Sequence, residues 1–266
     1  MKVQKTRLDQ RLVDEGLADN LQLAGALIMA GEVLVGGKRA SGAGTQVRED
    51  VPVTLKNSSG PWVSRGAYKL LTAIERFHLE LGGRVCLDVG SSTGGFTQVL
   101  LHHGASRVYA VDVGYGLLDW KLRKDERVVV MERQNARFLT PEMFPVRPDF
   151  ASSDASFISL KRLLIPMAAV TTENAESVVL VKPQFEARHE DVGAGGVVRS
   201  PEVHASVLSG LLDWLKETPW GLVEATWSGI KGPKGNIEYL FHLRKGVPSA
   251  PLDVETLVKD SHAALA

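Results

Sequence analysis

Two lysines and two carboxylates in this chain stand where an α/β sheet would bring them to one edge. Asp154 follows a strand-like run that ends in Ser152-Ser153, and Lys182 closes Val178-Val179-Leu180-Val181, where Pro183 stops the strand. A lysine at the end of an otherwise apolar buried strand is costly unless paired, and Asp154 is the nearest partner by topology. Lys69 lies in the helical stretch Ser64-Arg65-Gly66-Ala67-Tyr68-Lys69-Leu70, ahead of the first strand of an alternating region. Glu238 opens the last strand, after Lys234-Gly235-Asn236-Ile237. If that strand runs antiparallel between its neighbours, its start shares an edge with the other strands' ends. Ligands of open parallel sheets bind outside the carboxyl ends of the strands. Convergence there would set two ammonium groups and two carboxylates beside a cofactor. Each residue also has an ordinary reading: a solvated surface charge or, for Asp154, a helix cap worth about 1 kcal/mol.

The cofactor itself is announced by the stretch from Leu87 to Phe96. Val85-Cys86-Leu87-Asp88-Val89 reads as a buried strand. It breaks into Gly90-Ser91-Ser92-Thr93-Gly94-Gly95, and a helical stretch starts at Phe96. Glycine lets a ligand approach the backbone closely, and the first helical turn offers unpaired N–H groups. The next strand, Val108-Tyr109-Ala110-Val111-Asp112, ends in an acid about 20 residues after the glycine turn, where a ribose hydroxyl would be held. Together the two features predict a bound adenosine. No Gly-Lys-Ser/Thr follows the glycines, so the turn is not a Walker phosphate loop.

The elements that must position these residues alternate from Arg65 to about Lys245. Strands are predicted near 84–89, 107–113, 127–131, 149–153, 176–182, 222–229 and 236–243. Helices are predicted near 66–77, 94–103, 117–123, 157–169 and 201–217. This alternation predicts an α/β, Rossmann-like fold: a mostly parallel seven-stranded sheet with helices on both faces. A smaller α+β unit precedes it over residues 1–59. Arg7-Leu8-Asp9-Gln10-Arg11-Leu12-Val13 carries apolar residues at helical spacing, ended by Gly16. A second helix runs from about Leu21 to Met29, with Asp19 or Asn20 as its cap. Val33-Leu34-Val35, a Gly36-Gly37 turn and Val51-Pro52-Val53-Thr54-Leu55 follow as strands. Residues 60–64 form the linker, in which Trp62 is expected to pack on the neighbouring domain. The larger domain spans 65–246, and the 247–266 tail is assigned no role.

At 266 residues the chain suits one medium domain plus a small one. Its 31 basic and 31 acidic residues balance, so an electropositive surface must come from local placement. The single cysteine, Cys86, excludes an internal disulfide and suits a reducing compartment. The first residues lack the apolar core of a signal peptide, and no run approaches the roughly 18 apolar residues of a membrane span. A cytoplasmic protein is expected.

In the small unit, Arg7, Arg11, Lys38 and Arg39 lie near the edges of two helices and a glycine turn, an arrangement suited to RNA docking or to protein interaction. Arg7-Leu8-Asp9, Gly16-Leu17 and Ala26-Leu27-Ile28-Met29-Ala30-Gly31-Glu32-Val33-Leu34-Val35-Gly36-Gly37-Lys38 resemble the alpha-L domain. That domain is shared by a small-subunit ribosomal protein, pseudouridine synthases and tyrosyl-tRNA synthetases. The resemblance implies RNA binding through these four cations and, at the entry to the second domain, Arg65. Gln22 and Gly36 depart from the usual arginine and asparagine and remove polar contacts.

In the larger unit, five ordered motifs resemble the TlyA family, which joins an alpha-L domain to an FtsJ-like methyltransferase. They are Ser64-Arg65-Gly66-Ala67-Tyr68-Lys69-Leu70, Asp88-Val89-Gly90-Ser91-Ser92-Thr93-Gly94-Gly95-Phe96-Thr97, Asp154-Ala155-Ser156-Phe157-Ile158-Ser159-Leu160, Lys182-Pro183-Gln184-Phe185-Glu186 and Lys231-Gly232-Pro233-Lys234-Gly235-Asn236-Ile237-Glu238-Tyr239. The resemblance implies 2′-O-methylation of cytidine in 16S and/or 23S ribosomal RNA, with S-adenosyl-L-methionine as donor and ribosomal subunits as partners. It places the FtsJ-type catalytic set on Lys69, Asp154, Lys182 and Glu238. In that role Lys182 would lower the pKa of the ribose hydroxyl or take its proton, Asp154 would tune it, and Lys69 and Glu238 would orient the ribose and the second lysine. Asp88 and the turn from Gly90 through Ser91, Ser92, Thr93, Gly94 and Gly95 to Phe96 would surround the methionine end of the cofactor. Asp112 with Val113 would hold the ribose, and Asn135 would mark the adenine region. Gln98 and Leu117 depart from the family's aspartate and glutamine. No His/Cys cluster has metal-ligand spacing, so no metal is expected.

Residues 184–200, rich in glycine and carrying Arg188 and Arg199, read either as a mobile lid that orders on RNA or as a merely disordered loop. Two other classes compete with the RNA methyltransferase. A small-molecule methyltransferase would have no use for the first domain. A membrane-active haemolysin would need an amphipathic or secreted segment, and none is visible.

Overall fold

The computed structural model describes residues 5–15, 17–18, 21–55 and 62–265. The expected caps at Gly16, Asp19 and Asn20 and the first two residues of the linker lie outside the described residues.

The small unit holds β1 (Lys5–Arg7), α1 (Leu8–Asp14), α2 (Leu21–Ala30), β2 (Val33–Val35), β3 (Lys38–Arg39), β4 (Gln46–Arg48) and β5 (Val53–Leu55). β1 pairs with β4, while β3, β2 and β5 form a second antiparallel sheet. Leu8, Leu12, Leu27, Ile28, Val33, Val47 and Val53 close a core of their own, so the helical spacing read along α1 and α2 is the packing face.

The larger unit runs α3 (Gly66–Phe77), β6 (Val85–Val89), α4 (Gly95–His102), β7 (Arg107–Val111), α5 (Trp120–Arg123), β8 (Val128–Met131), β9 (Phe150–Ser153), α6 (Leu164–Val170), β10 (Glu176–Val181), α7 (Pro183–Glu186), α8 (Pro201–Leu215), β11 (Trp220–Trp227), β12 (Tyr239–Lys245) and α9 (Val254–Ala264). Seven strands lie in the order β11-β12-β10-β9-β6-β7-β8. β12 alone is reversed: it pairs antiparallel with both β10 and β11, and the remaining pairs are parallel. Side chains alternate across the sheet. Leu87, Val89, Val179 and Val181 therefore join the core under α6, α8 and α9, while Cys86, Val108, Val178 and Leu180 join the core under α3 and α4. Trp62 meets the second face edge-on at His102, 5.4 Å between ring centroids, as expected of an aromatic in a linker.

Three expectations change. The helix expected over 157–169 is a single 3-10 turn at Leu160–Arg162 followed by the shorter α6. The cause is local: Phe157 takes a left-handed φ of 63°, which breaks a helix, and Ser159 caps the turn through Lys161 N–H. The 184–200 segment is folded rather than free. Glu186 accepts from Ser159 Oγ and Leu160 N–H, Gly193 and Val197 form a bridge, and Asn236 Oδ1 accepts from Val198 N–H. The tail is integrated as well: Leu257 and Val258 of α9 are buried, and Ser261 meets the hydroxyl of Tyr239 at 3.1 Å. Among the described residues no helix is long and apolar enough to cross a membrane.

Candidate active site

The reversal of β12 builds the site. Its first residue, Tyr239, sits opposite Val181, the last residue of β10. Glu238 and Lys182, each one step beyond that pair, therefore meet at the edge where the parallel strands end. Asp154 arrives there from the end of neighbouring β9, and Lys69 from α3, which packs against β12.

The four side chains form one continuous ion-paired chain. Lys69 Nζ lies 2.8 Å from Glu238 Oε2 and 3.2 Å from Asp154 Oδ2, and Lys182 Nζ lies 2.6 Å from Asp154 Oδ1. Lys69, Lys182 and Glu238 are almost fully buried, and Asp154 keeps a limited opening to the cleft. Two positive and two negative groups cancel, which is what makes their burial tolerable. Burial alone pushes the Asp154 carboxyl up, but Lys182 and Lys69 together outweigh it and hold the group below the usual aspartate range. Burial alone pushes the Lys69 ammonium down, and Asp154 and Glu238 outweigh it in turn, so Lys69 stays protonated. The tight fit extends to the backbone. A Cβ at Gly232 would fall 2.5 Å from Glu238 Oε1, so the loop before β12 can close over that carboxylate only with glycine there.

Two cavities flank this chain. One, of about 620 Å³, is lined by Lys69, Asp154, Lys182 and Glu238 together with Arg65, Lys231, Lys234 and, from the small unit, Arg39. The other, of about 890 Å³, is lined by Gly90, Ser92, Asp112, Val113, Leu117 and Asn135. Asp154, Ser156, Phe157 and Phe185 border both. The glycine turn fits the second cavity to a ligand. Gly90 has φ +81° and its Cβ would lie 2.9 Å from Ala155 Cα, so the two loops touch backbone to backbone. Asp112 is held in place by Ser92 N–H and Gly114 N–H, at 2.8 and 2.7 Å, which leaves two acceptor positions on its carboxylate. Asn135, which borders the same cavity, accepts from Arg137 N–H at 3.1 Å through Oδ1.

Not every expected site residue reaches a cavity. Ser91, Thr93, Gly95 and Phe96 border the smaller one. Asp88 borders neither: it is fully buried beneath α4, where Thr97 Oγ1 donates to it at 2.7 Å and Ser152 Oγ at 3.3 Å. It fixes the strand to the helix rather than touching a ligand, and burial raises its carboxyl to about 7. Gly94 faces Leu118 and Leu122, and a Cβ there would collide with both. Of the cations expected on RNA, Lys38, Arg39 and Arg65 are exposed, and Arg7 is exposed but paired with Asp9. Arg11 is corrected: it is buried, donates to the carbonyls of Arg48 and Glu49, and pairs with Glu15, so it staples α1 to β4.

Ser156 and Phe157 were not singled out from the sequence. Ser156 Oγ accepts from Lys182 Nζ at 2.9 Å, and Phe157, 88 % exposed, leans on Phe185 at 5.1 Å. Their signal was available: both follow Asp154 within three residues, past the end of a strand.

An FtsJ-like methyltransferase profile matches residues 62–245, and an S4 domain profile matches residues 6–53. The chain is 46 % identical over 241 residues to the 16S/23S rRNA (cytidine-2′-O)-methyltransferase TlyA of Mycobacterium tuberculosis, covering 90 % of each. A solved structure from Streptococcus thermophilus, described as a candidate hemolysin, superposes with a TM-score of 0.77 at 38 % identity over 98 % of this chain and 97 % of that one. A Listeria monocytogenes chain described as an S-adenosylmethionine-dependent methyltransferase shares the fold alone, at 12 % identity and a TM-score of 0.52, over 69 % of this chain and all of that one. The two profiles and the relatives lead to one family: this chain belongs to the FtsJ-like methyltransferases, in the TlyA group that carries an S4 domain ahead of the transferase.

Proposed function

We propose that this protein methylates the ribose 2′-hydroxyl of a cytidine in ribosomal RNA, within a ribosomal subunit, using S-adenosyl-L-methionine. The observation that carries the reading is the Lys69–Asp154–Lys182–Glu238 chain at the junction of two cavities. A cluster of this kind serves a poor nucleophile that must be held in line and relieved of a proton. The 890 Å³ cavity has the size of a nucleoside site, and the Gly90 cradle and the anchored Asp112 suit a nucleoside with a charged tail. When bound, S-adenosylmethionine supplies an electrophilic methyl group on sulfur.

The chain's own residues do the rest. Asp112 and Val113 would hold the ribose of the donor, and Asn135 would take the adenine region. Gly90, Ser91, Ser92, Thr93, Gly95 and Phe96 line the path between donor and acceptor. Lys182, on the cleft side of Asp154, donates to the oxygen of the target hydroxyl and favours release of its proton to solvent in the open cleft, a contribution typically worth about 10²–10⁴ in rate. Asp154 keeps Lys182 in place, and Lys69 locks Asp154 to Glu238. Alignment of hydroxyl and methyl adds several kcal/mol, up to about 7–11 in favourable cases. The exposed face of Phe157 suits a nucleobase drawn out of its stack. Arg39, Arg65, Lys231 and Lys234 ring the smaller cavity with positive charge for the RNA backbone.

The test is to map ribose methylation on ribosomal RNA from cells lacking the gene, complemented with wild type or Lys182→Ala. A cytidine that gains its 2′-methyl only with wild type supports the reading. Methyl transfer to small metabolites with none to ribosomal subunits refutes it.

A further inference from the structure

Lys182 Nζ makes three polar contacts. It donates to the main-chain carbonyl of Asp154 and to Ser156 Oγ, each at 2.9 Å, and it lies 2.6 Å from Asp154 Oδ1 as an ion pair. Two of the three come from Asp154, and Ser156 is the one acceptor among them supplied by another residue.

The third acceptor also differs in kind. Asp154 offers a carbonyl that cannot move and a carboxylate already shared with Lys69. Ser156 is exposed, borders both cavities and carries a hydroxyl that can rotate. The hydrogen it holds is therefore the one aimed at the cleft. The backbone supports this placement. Phe157, immediately after Ser156, adopts a left-handed φ of 63°, a conformation costing a non-glycine residue of order 1–3 kcal/mol and kept where the surroundings require it. That turn redirects the chain leaving β9 at the point where Ser156 lies alongside Lys182.

Resting on the methyltransferase reading above, we propose that Ser156 is a positioning residue: it holds the third Lys182 N–H pointed into the cleft and yields it to the target hydroxyl when RNA arrives. Pre-aimed donors raise the rate of the bound complex rather than the affinity of its parts, because they need no rearrangement at the moment of reaction.

The experiment compares wild type, Ser156→Ala and Ser156→Thr in tritium transfer from labelled S-adenosylmethionine to ribosomal subunits from cells lacking the gene. Activity of the wild type in this assay establishes the underlying reading separately. The expected result is a fall in kcat of about tenfold for Ser156→Ala, the size of one hydrogen bond to a charged group. KM for donor and for RNA should stay within about twofold, and Ser156→Thr, which keeps the hydroxyl, should recover most of the loss. Wild-type kcat in Ser156→Ala overturns the proposal, as does a Thr variant no better than Ala. A loss seen mainly in KM overturns it too, since that would make Ser156 a simple binding contact. Residue 156 is exposed, so neither change removes buried packing, and matching circular dichroism spectra check the fold.

Discussion

Replacing Lys69 by methionine tests the logic of the buried charge chain most directly. The two side chains are similar in length, so packing is largely kept, but the ammonium that sits 2.8 Å from Glu238 and 3.2 Å from Asp154 is gone. Glu238 has a side chain only 2 % exposed and, among the described residues, pairs with no other cation. Removing one partner of a buried pair costs about 3–5 kcal/mol, because the other charge stays behind unpaired. At about 2–4 °C per kcal/mol for a domain of this size, the melting temperature should fall by roughly 6–20 °C near neutral pH. The sign of the pH dependence follows. Against the upward push of burial, Lys182 and Lys69 hold the wild-type Asp154 carboxyl below the usual aspartate range, so its contribution is full above that range and is lost as pH falls through its folded value. The share due to Lys69 is missing from the variant, so the two melting curves should converge in acid. Thermal unfolding at about pH 7 and about pH 3, on either side of the usual aspartate range, measures this. A loss of the same size at both, or none at either, would refute the reasoning.

Lys182→Ala should lower kcat for subunit methylation by about 10²–10⁴ while leaving donor affinity by calorimetry nearly unchanged. Unchanged kcat would remove Lys182 from the chemistry. Asp88→Asn tests a buried acid outside the cleft. Burial raises its carboxyl to about 7, so wild-type stability declines as pH rises from the usual aspartate range through that value. The variant should lack that decline and melt higher, relative to wild type, at alkaline pH than at acid pH. In the small domain, Arg11→Ala should lower the melting temperature, because the hydrogen bonds to the carbonyls of Arg48 and Glu49 disappear, with little effect on RNA affinity once folded. Arg39→Ala or Arg65→Ala should weaken RNA binding and flatten its salt dependence by about 0.7–0.9 for each phosphate no longer neutralised. A salt slope identical to wild type in both variants would exclude them from the phosphate-binding surface.

Much of this architecture was legible because the chain obeys simple periodicities. Apolar runs ending in Asp112, Lys182 or a glycine turn declare both a strand and the end that faces the ligand, and the helix over 66–77 is found where its spacing puts it. The antiparallel insertion of β12 was legible as a condition, and the structure fulfils it. Other features were hidden because they depend on neighbours distant in sequence. Arg11 looks like any surface cation until β4 folds across it and its carbonyls take the guanidinium. Asp88 sits beside the ligand turn in sequence, but strand alternation points it under α4 and away from the cleft. The 184–200 segment reads as loose because Gly193, Gly195 and Gly196 cluster in it, and its order comes from single side chains elsewhere, Asn236 above all. Phe157 broke an otherwise plausible helix through one backbone angle that no local pattern signals.

The insertion of β12 between β10 and β11 has a consequence for synthesis of the chain. The strand emerging last from the ribosome fills a place in the middle of the sheet, not at its margin. Until it arrives, β10 and β11 have open sides facing one another, and Lys69 has no Glu238 to neutralise it. A nascent chain halted after α8 thus holds the glycine cradle and three of the four charged groups, yet no finished centre. Completion of the four-residue centre is therefore tied to synthesis of the last strand of the sheet.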